Sequence, residues 1–242
     1  MTEVLKPNYR VRRLVALLII AIISLSGLVV NVQTQHQEPD RDTSQLQDDQ
    51  TVSTGELAID VIDKLDVKGR APKTGYKRAQ FGNGWLRGAS GCDTRNVILK
   101  RDLKNTKVGG DCRVLSGLLH DPYTGKEIDF LRGPSTSDKV QIDHIVALSN
   151  AWQTGAQLLS LGRRIEFAND PLNLLAVDGR ANQQKGDGDA ATWLPPRKNY
   201  RCAYVARQIK IKYSYGLWLT PAEKTAMQRV LRQCPNQRLI EK

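Results

Sequence analysis

The chain has 242 residues, enough for one sizeable domain with additions. A formal charge of +11 and a pI of about 9.6 favour a polyanionic partner, either nucleic acid or an anionic cell-surface polymer. The four cysteines, Cys92, Cys112, Cys202 and Cys234, include no C-x-x-C pair, which removes the usual signature of a structural zinc site.

From the N-terminus, Lys6, Arg10, Arg12 and Arg13 precede an uncharged, mostly apolar run from Leu14 to Val30. This is an export signal. Seventeen residues are long for a signal-peptide core and just enough to span a bilayer, so residues 1–32 read as a cleaved signal or an uncleaved anchor. The basic flank places everything after Val30 outside the cytoplasm, secreted or held to the membrane by this helix. Residues 33–52 are polar and poor in apolar side chains, as in a disordered tether. Ser53-Thr-Gly-Glu56 has capping-box spacing ahead of Leu57, Val61, Ile62 and Leu65, so the folded domain is expected over 53–242.

An oxidising destination and an even cysteine count fit disulfides, with three connectivities possible. Cys92–Cys112 and Cys202–Cys234 are the most local, each closing a loop of about 20 to 30 residues. Four buried free thiols are the alternative. Residues 66–113 carry twelve Lys or Arg against four Asp, a local +8 that suits phosphates and equally suits a solvated surface. The segment from Gly91 to Leu99 turns into a strand or helix. Asp121-Pro-Tyr-Thr-Gly125 holds turn formers between two apolar runs and predicts a β-hairpin.

Gln141-Ile-Asp143-His144-Ile-Val146 predicts a strand, and Leu148, Ala151, Trp152, Gly155 and Leu159 predict a helix after it. Phe167-Ala-Asn-Asp-Pro171 breaks the pattern, Leu172 to Val177 reads as a second strand, and a short helix begins around Arg180. Cys202, Ala206, Ile209 and Tyr213 mark one later helix, and Thr220-Pro-Ala-Glu223 caps another. These two helices are natural partners for a Cys202–Cys234 bridge. The tryptophans at 85, 152, 193 and 218 read as packing residues.

A phosphodiester repels a nucleophile, so its hydrolysis needs an activated water and positive charge at the phosphoryl oxygens. An imidazole titrating near ~6.5 suits His144 for the first task. Asp143 beside it would point to the other face of an ideal strand, so both serve one site only where the chain turns.

Asp143-His144-Ile-Val, then Asn173-Leu-Leu, then Asn182 with Lys185 and Asp187, resembles the ββα-metal finger of HNH endonucleases. More closely, the chain resembles secreted actinobacterial HNH nuclease proteins related to the C-terminal domain of the GmrSD modification-dependent restriction enzymes. Gly91-Cys-Asp-Thr-Arg-Asn, Asp121-Pro-Tyr-Thr-Gly125, Ala151-Trp152, Phe167-Ala-Asn-Asp-Pro171 and Trp193-Leu-Pro195 carry that resemblance over most of residues 85–235. It implies an α+β fold, a ββα-metal centre within residues 140–190 and a metal-dependent endonuclease. The +8 segment, with no recognisable base-reading helix, points to binding without sequence preference, with DNA expected ahead of RNA and the choice between them left open. Asp143 and Asn182 would be the metal ligands, His144 the general base, and Asn173 the residue bracing the base's loop. Oxygen ligands favour Mg²⁺, with Mn²⁺ also suited. Lys185 and Arg95 are candidate phosphate contacts, and Asp93 and Asp187 candidate supports behind the ligands. No protein partner is inferred. The rival reading is a non-catalytic basic surface protein that binds DNA or anionic wall polymer.

Overall fold

The structure is a computed structural model that describes residues 55–240. The apolar run 14–30, the tether 33–52 and Ser53 lie outside the described residues. Among the described residues no helix is long and apolar enough to cross a membrane. The architecture is a mixed α+β domain, as expected. Helix α1 (Ala58–Val61) opens it and α2 (Thr94–Asp102) follows. Strands β1 (Leu103–Val108), β2 (Val114–His120) and β3 (Glu127–Leu131) form an antiparallel sheet in that order. Strand β4 (Val140–His144) pairs antiparallel with β5 (Leu174–Asp178). Between them lie α3 (Leu148–Gln153) and α4 (Leu161–Asn169), and after them α5 (Gly179–Lys185), α6 (Arg201–Ser214) and α7 (Pro221–Leu231).

The expected hairpin is β2–β3, with His120 opposite Glu127. Fully buried Asp121 builds its turn, accepting from the N–H and hydroxyl of Thr124 and from the N–H of Asp178 at the end of β5. The turn is thereby tied to β5, and Tyr123 within it is driven into the core with no exposed surface. Strand β1 is a strand the residue pattern conceals. Only Leu103 in it is buried, and exposed Lys104, Asn105 and Lys107 face solvent at the sheet edge, where charge discourages further pairing.

The segment after Gly91 resolves as helix. Asp93 caps α2 by accepting from the N–H of Asn96 at 2.8 Å. The single helix expected over 148–159 is corrected: α3 stops at Gln153, Gly155 turns at φ +125°, and a second helix, α4, starts from a Ser160 cap. Residues 171–173 form a turn, so β5 begins at Leu174. The capping box at Thr220 and Glu223 is present.

The β4–β5 ribbon is the centre of the fold because both its faces are covered. Val140, Ile142, Leu174 and Ala176 pack against α2 and the three-stranded sheet. Leu175 and Val177 pack against Tyr123, Ala181 and the helices α1, α6 and α7. A third cluster around Phe81, Trp152, Phe167 and Tyr215 joins α3, α4 and the end of α6. Both expected disulfides are present, Cys92–Cys112 and Cys202–Cys234, and no cysteine is free. The second ties the start of α6 to the end of α7, and a buried Lys212–Glu223 ion pair at 2.8 Å joins the opposite ends of the same two helices.

Residues 66–93 wrap the helical side as a strap with little regular structure. They are held by side-chain anchors: Arg70 to Asp189 at 2.6 Å, Lys73 to Asp187 at 2.9 Å, and the Leu86 N–H to Asn169 Oδ1 at 2.9 Å. The basic segment is thus partly consumed internally. Lys68, Arg70, Lys73, Arg101 and Arg113 pair with aspartates, whereas exposed Lys77, Arg78, Lys100, Lys104 and Lys107 have no ion-pair partner among the described residues.

Candidate functional site

Asp143 and His144 end strand β4, and the pleat sends their side chains to opposite faces. His144 goes to the face shared with α2 and the sheet. Its Nε2 lies 2.9 Å from the Ala168 carbonyl at the end of α4. A carbonyl only accepts, so the neutral ring carries its proton on Nε2 and its lone pair on Nδ1. The ring is 6% exposed because Trp85 of the strap lies over it, centroids 5.8 Å apart and planes 6° from parallel. Burial, with the positive charges of Arg78 and Lys185 adding to it, lowers the imidazole from 6.5 to about 3, against the Ala168 carbonyl, which favours the protonated ring. His144 also lines a cavity of about 120 Å³ with Arg78, Phe81, Gly82, Gly84, Trp85, Leu148 and Ala168. The imidazole is therefore neutral across the physiological range, oriented, and adjacent to a guanidinium.

The loop after β4 is held by Asn173, which is fully buried. Its Oδ1 accepts from the Val146 N–H at 2.9 Å, and its amide donates to the carbonyls of Val146 and Phe167. The turn carrying Asn173 is clamped in turn: Arg101 donates to the carbonyls of Pro171 and Leu174, and Arg207 of α6 to those of Leu172, Pro171 and Leu174.

On the other face, Asp143 is 5% exposed and sits among α5 and the β2–β3 turn. Its Oδ2 accepts from the Tyr123 hydroxyl and its Oδ1 from the Lys185 ammonium at 2.8 Å. Lys185, whose side chain has no exposed surface, also donates to the His144 carbonyl at 2.7 Å. One turn earlier on α5, Asn182 donates its Nδ2 to Gln141 Oε1 at 2.8 Å, which leaves its Oδ1 for another partner. Helix α5 can press this closely because it begins at Gly179, where a Cβ would meet the Asp138 carbonyl at 2.0 Å.

The model of the family described as GmrSD restriction endonucleases, C-terminal domain, matches residues 93–230. The chain belongs to this family. It is also 37% identical over 185 residues to an uncharacterized secreted protein of Arthroderma benhamiae, covering 76% of this chain and 87% of that one. No solved structure matches.

The residues expected to form the site are placed as follows. Asn173 holds the loop after β4, Asp143 faces α5, and Asn182, on α5, bonds Gln141 of β4. His144 turns away from them, so the described arrangement does not gather base and ligands on one face. Among the described residues no three His, Cys, Asp or Glu side chains form a group able to hold a metal. The donors fit a hard divalent cation by type nonetheless, because Asp143 Oδ1 and the His144 carbonyl already cradle a cation, the Lys185 ammonium.

Three candidates have other occupations. Asp93 is the cap of α2. Asp187 accepts from Lys73 and from Ser149, contacts that hold its carboxyl below the usual range, and so latches the strap. Arg95 lies near Arg132, Asp93 and Asp138, and burial lowers its pKa; no hydrogen bond among the described residues joins it to His144 or Asp143. Trp85, read as packing, covers His144, and Tyr123, read as a turn residue, holds Asp143. Nothing in a lone sequence marks either, since both depend on loops folding onto distant strands.

Proposed function

We propose that the protein is an extracytoplasmic, metal-dependent endonuclease that hydrolyses nucleic acid, DNA rather than RNA, with little sequence preference. The observation that carries this is the orientation of His144: fixed by Ala168 with the Nδ1 lone pair free, and lining a cavity with Arg78. Membership of a restriction-endonuclease family supports the reaction class. Two disulfides and a relative named as secreted support an oxidising, exported setting.

In this reading His144 Nδ1 takes the proton of the attacking water, and Ala168 keeps the ring in the tautomer that permits it. Arg78 offers its guanidinium to the phosphate. Asn173 holds the loop that follows the base. Asp143 and Asn182 would hold a divalent cation, Mg²⁺ or Mn²⁺, which when bound supplies positive charge to the phosphoryl and leaving oxygens. Expected products carry 5′-phosphate and 3′-hydroxyl ends. Exposed Lys77, Lys100, Lys104 and Lys107 provide phosphate contacts without base readout. The covered ring, the neutralised carboxylate and their opposite faces describe a closed site, so the reading requires Trp85 to lift from His144 and the end of β4 to turn until ring and carboxylate meet one phosphate.

The test is incubation of the purified protein with plasmid DNA and Mg²⁺ or Mn²⁺, with and without chelator. Chelator-sensitive nicking and linearisation are expected. Intact plasmid with every divalent cation, despite retained binding, would contradict an enzyme. The second reading, a non-catalytic protein binding DNA or anionic wall polymer, is favoured by the Lys185–Asp143 pair, since a permanently neutralised carboxylate leaves only a basic surface.

A further inference from the structure

We infer that Lys185 is the resident cation of the Asp143 centre and that a divalent metal binds there only by exchange, displacing the lysine from Asp143. The inference rests on the proposed role of Asp143 as a metal ligand. It adds that the site is charge-balanced before any metal arrives, and that the cation in place is part of the chain.

The geometry supports this in three ways. The Lys185 ammonium occupies the position of a bound ion, held by a carboxylate oxygen at 2.8 Å and a main-chain carbonyl at 2.7 Å, with its side chain fully sequestered. Both donors are hard oxygens of the kind Mg²⁺ and Mn²⁺ take. A divalent ion on Oδ1 would put two positive charges against one oxygen, so metal and ammonium exclude each other there. Tyr123 holds the second oxygen, Oδ2, and anchors the carboxylate whichever cation is present.

The lysine is also placed where it can leave. Lys185 is the last residue of α5, and Gly186 follows in a left-handed conformation at φ +55°. Release therefore breaks no hydrogen bond inside the helix beyond its final turn. Once displaced, the ammonium is available to a substrate phosphate close to the cation that replaced it. Each binding event must first separate a buried ion pair and rehouse its ammonium, so the pair lowers the apparent metal affinity.

The test is direct metal binding by the full-length protein, read without catalysis. Mn²⁺ isotherms are compared for wild type, Lys185→Met, and Lys185→Met combined with Asp143→Asn. Exchange predicts that Lys185→Met binds Mn²⁺ at least tenfold tighter than wild type, and that the added Asp143→Asn abolishes the gain. Equal or weaker binding by Lys185→Met overturns the inference. Should Lys185→Met fail to fold, wild type alone decides the matter. The ammonium of a buried, hydrogen-bonded lysine is protected from solvent exchange and gives its own ¹⁵N resonance, which exchange predicts will disappear on titration with Mg²⁺. Persistence of that resonance up to saturating Mg²⁺ overturns the inference, and so does the absence of metal binding to any of the proteins. Absence of metal binding would also contradict the metal-dependent reading, whereas metal binding with a persistent resonance overturns the exchange alone.

Discussion

Trp85 lies flat on His144, 5.8 Å between ring centroids and 6° from parallel, so the proposed base is covered by a residue of the strap. The cover keeps water from the imidazole and keeps it neutral. Replacing Trp85 with Ala should expose the ring and move its pKa from about 3 towards the ordinary 6.5. Histidine resonances followed through a pH titration would show this. An unchanged titration would mean that Trp85 is not what dries the ring.

The same shift has a consequence for stability. The folded-state pKa of His144 is lowered, so between about 3 and 6.5 the unfolded chain binds a proton that the folded chain refuses. Stability contributed by the neutral ring is complete above ~6.5 and is lost as pH falls through that window, at about 1.4 kcal/mol per pH unit. His144→Gln should remove this component while leaving the carboxylate titrations common to both proteins. Urea unfolding at pH 6.5 and pH 5 should therefore show wild type losing about 2 kcal/mol more than the variant. Parallel losses in both would place the low-pH sensitivity elsewhere.

Asn173→Ala should act mainly through the fold. It strips the partner from the Val146 N–H in a fully buried setting and leaves two carbonyls short of a donor. A cost of about 1–3 kcal/mol is expected, with weaker activity because the loop after His144 loosens. Chemical denaturation reads the first, and amide exchange at Val146 reads the second. Full protection of Val146 in the variant would show that the clamp by Arg101 and Arg207 suffices alone.

The Cys202–Cys234 bridge closes a separation of 32 residues between α6 and α7. Replacing both cysteines with Ser should destabilise the protein by about 3–4 kcal/mol on the chain-entropy account. Equal unfolding midpoints for the paired variant and wild type would contradict this.

Much of this fold is legible in the sequence, and the reasons are local. The β2–β3 hairpin follows from Asp121, Pro122 and Gly125, and helix α7 from Thr220 and Glu223, because each signal is complete within a few residues. Strand β1 is hidden because an exposed edge strand needs only one buried side chain. Helix α4 is hidden because its buried residues, Phe167 and Ala168, fall in a stretch that reads as a break. In the site, the spacing of Asp143, His144, Asn173 and Asn182 is visible, and the bracing by Asn173 follows it. The occupations of Asp143 by Tyr123 and Lys185, and of His144 by Trp85, are non-local contacts between segments tens of residues apart. Charge counting likewise sees twelve cations over 66–113 and not their internal aspartate partners.

The most direct test of the central claim is the single-turnover DNA cleavage rate of wild type, His144→Ala and Asn182→Ala across a range of Mn²⁺ concentrations. Loss of the general base should cost about 10²–10⁴ in rate at every metal concentration, whereas the Asn182 variant should recover as Mn²⁺ rises. Cleavage by His144→Ala at the wild-type rate, or equal rescue of both variants by metal, would contradict the assignment.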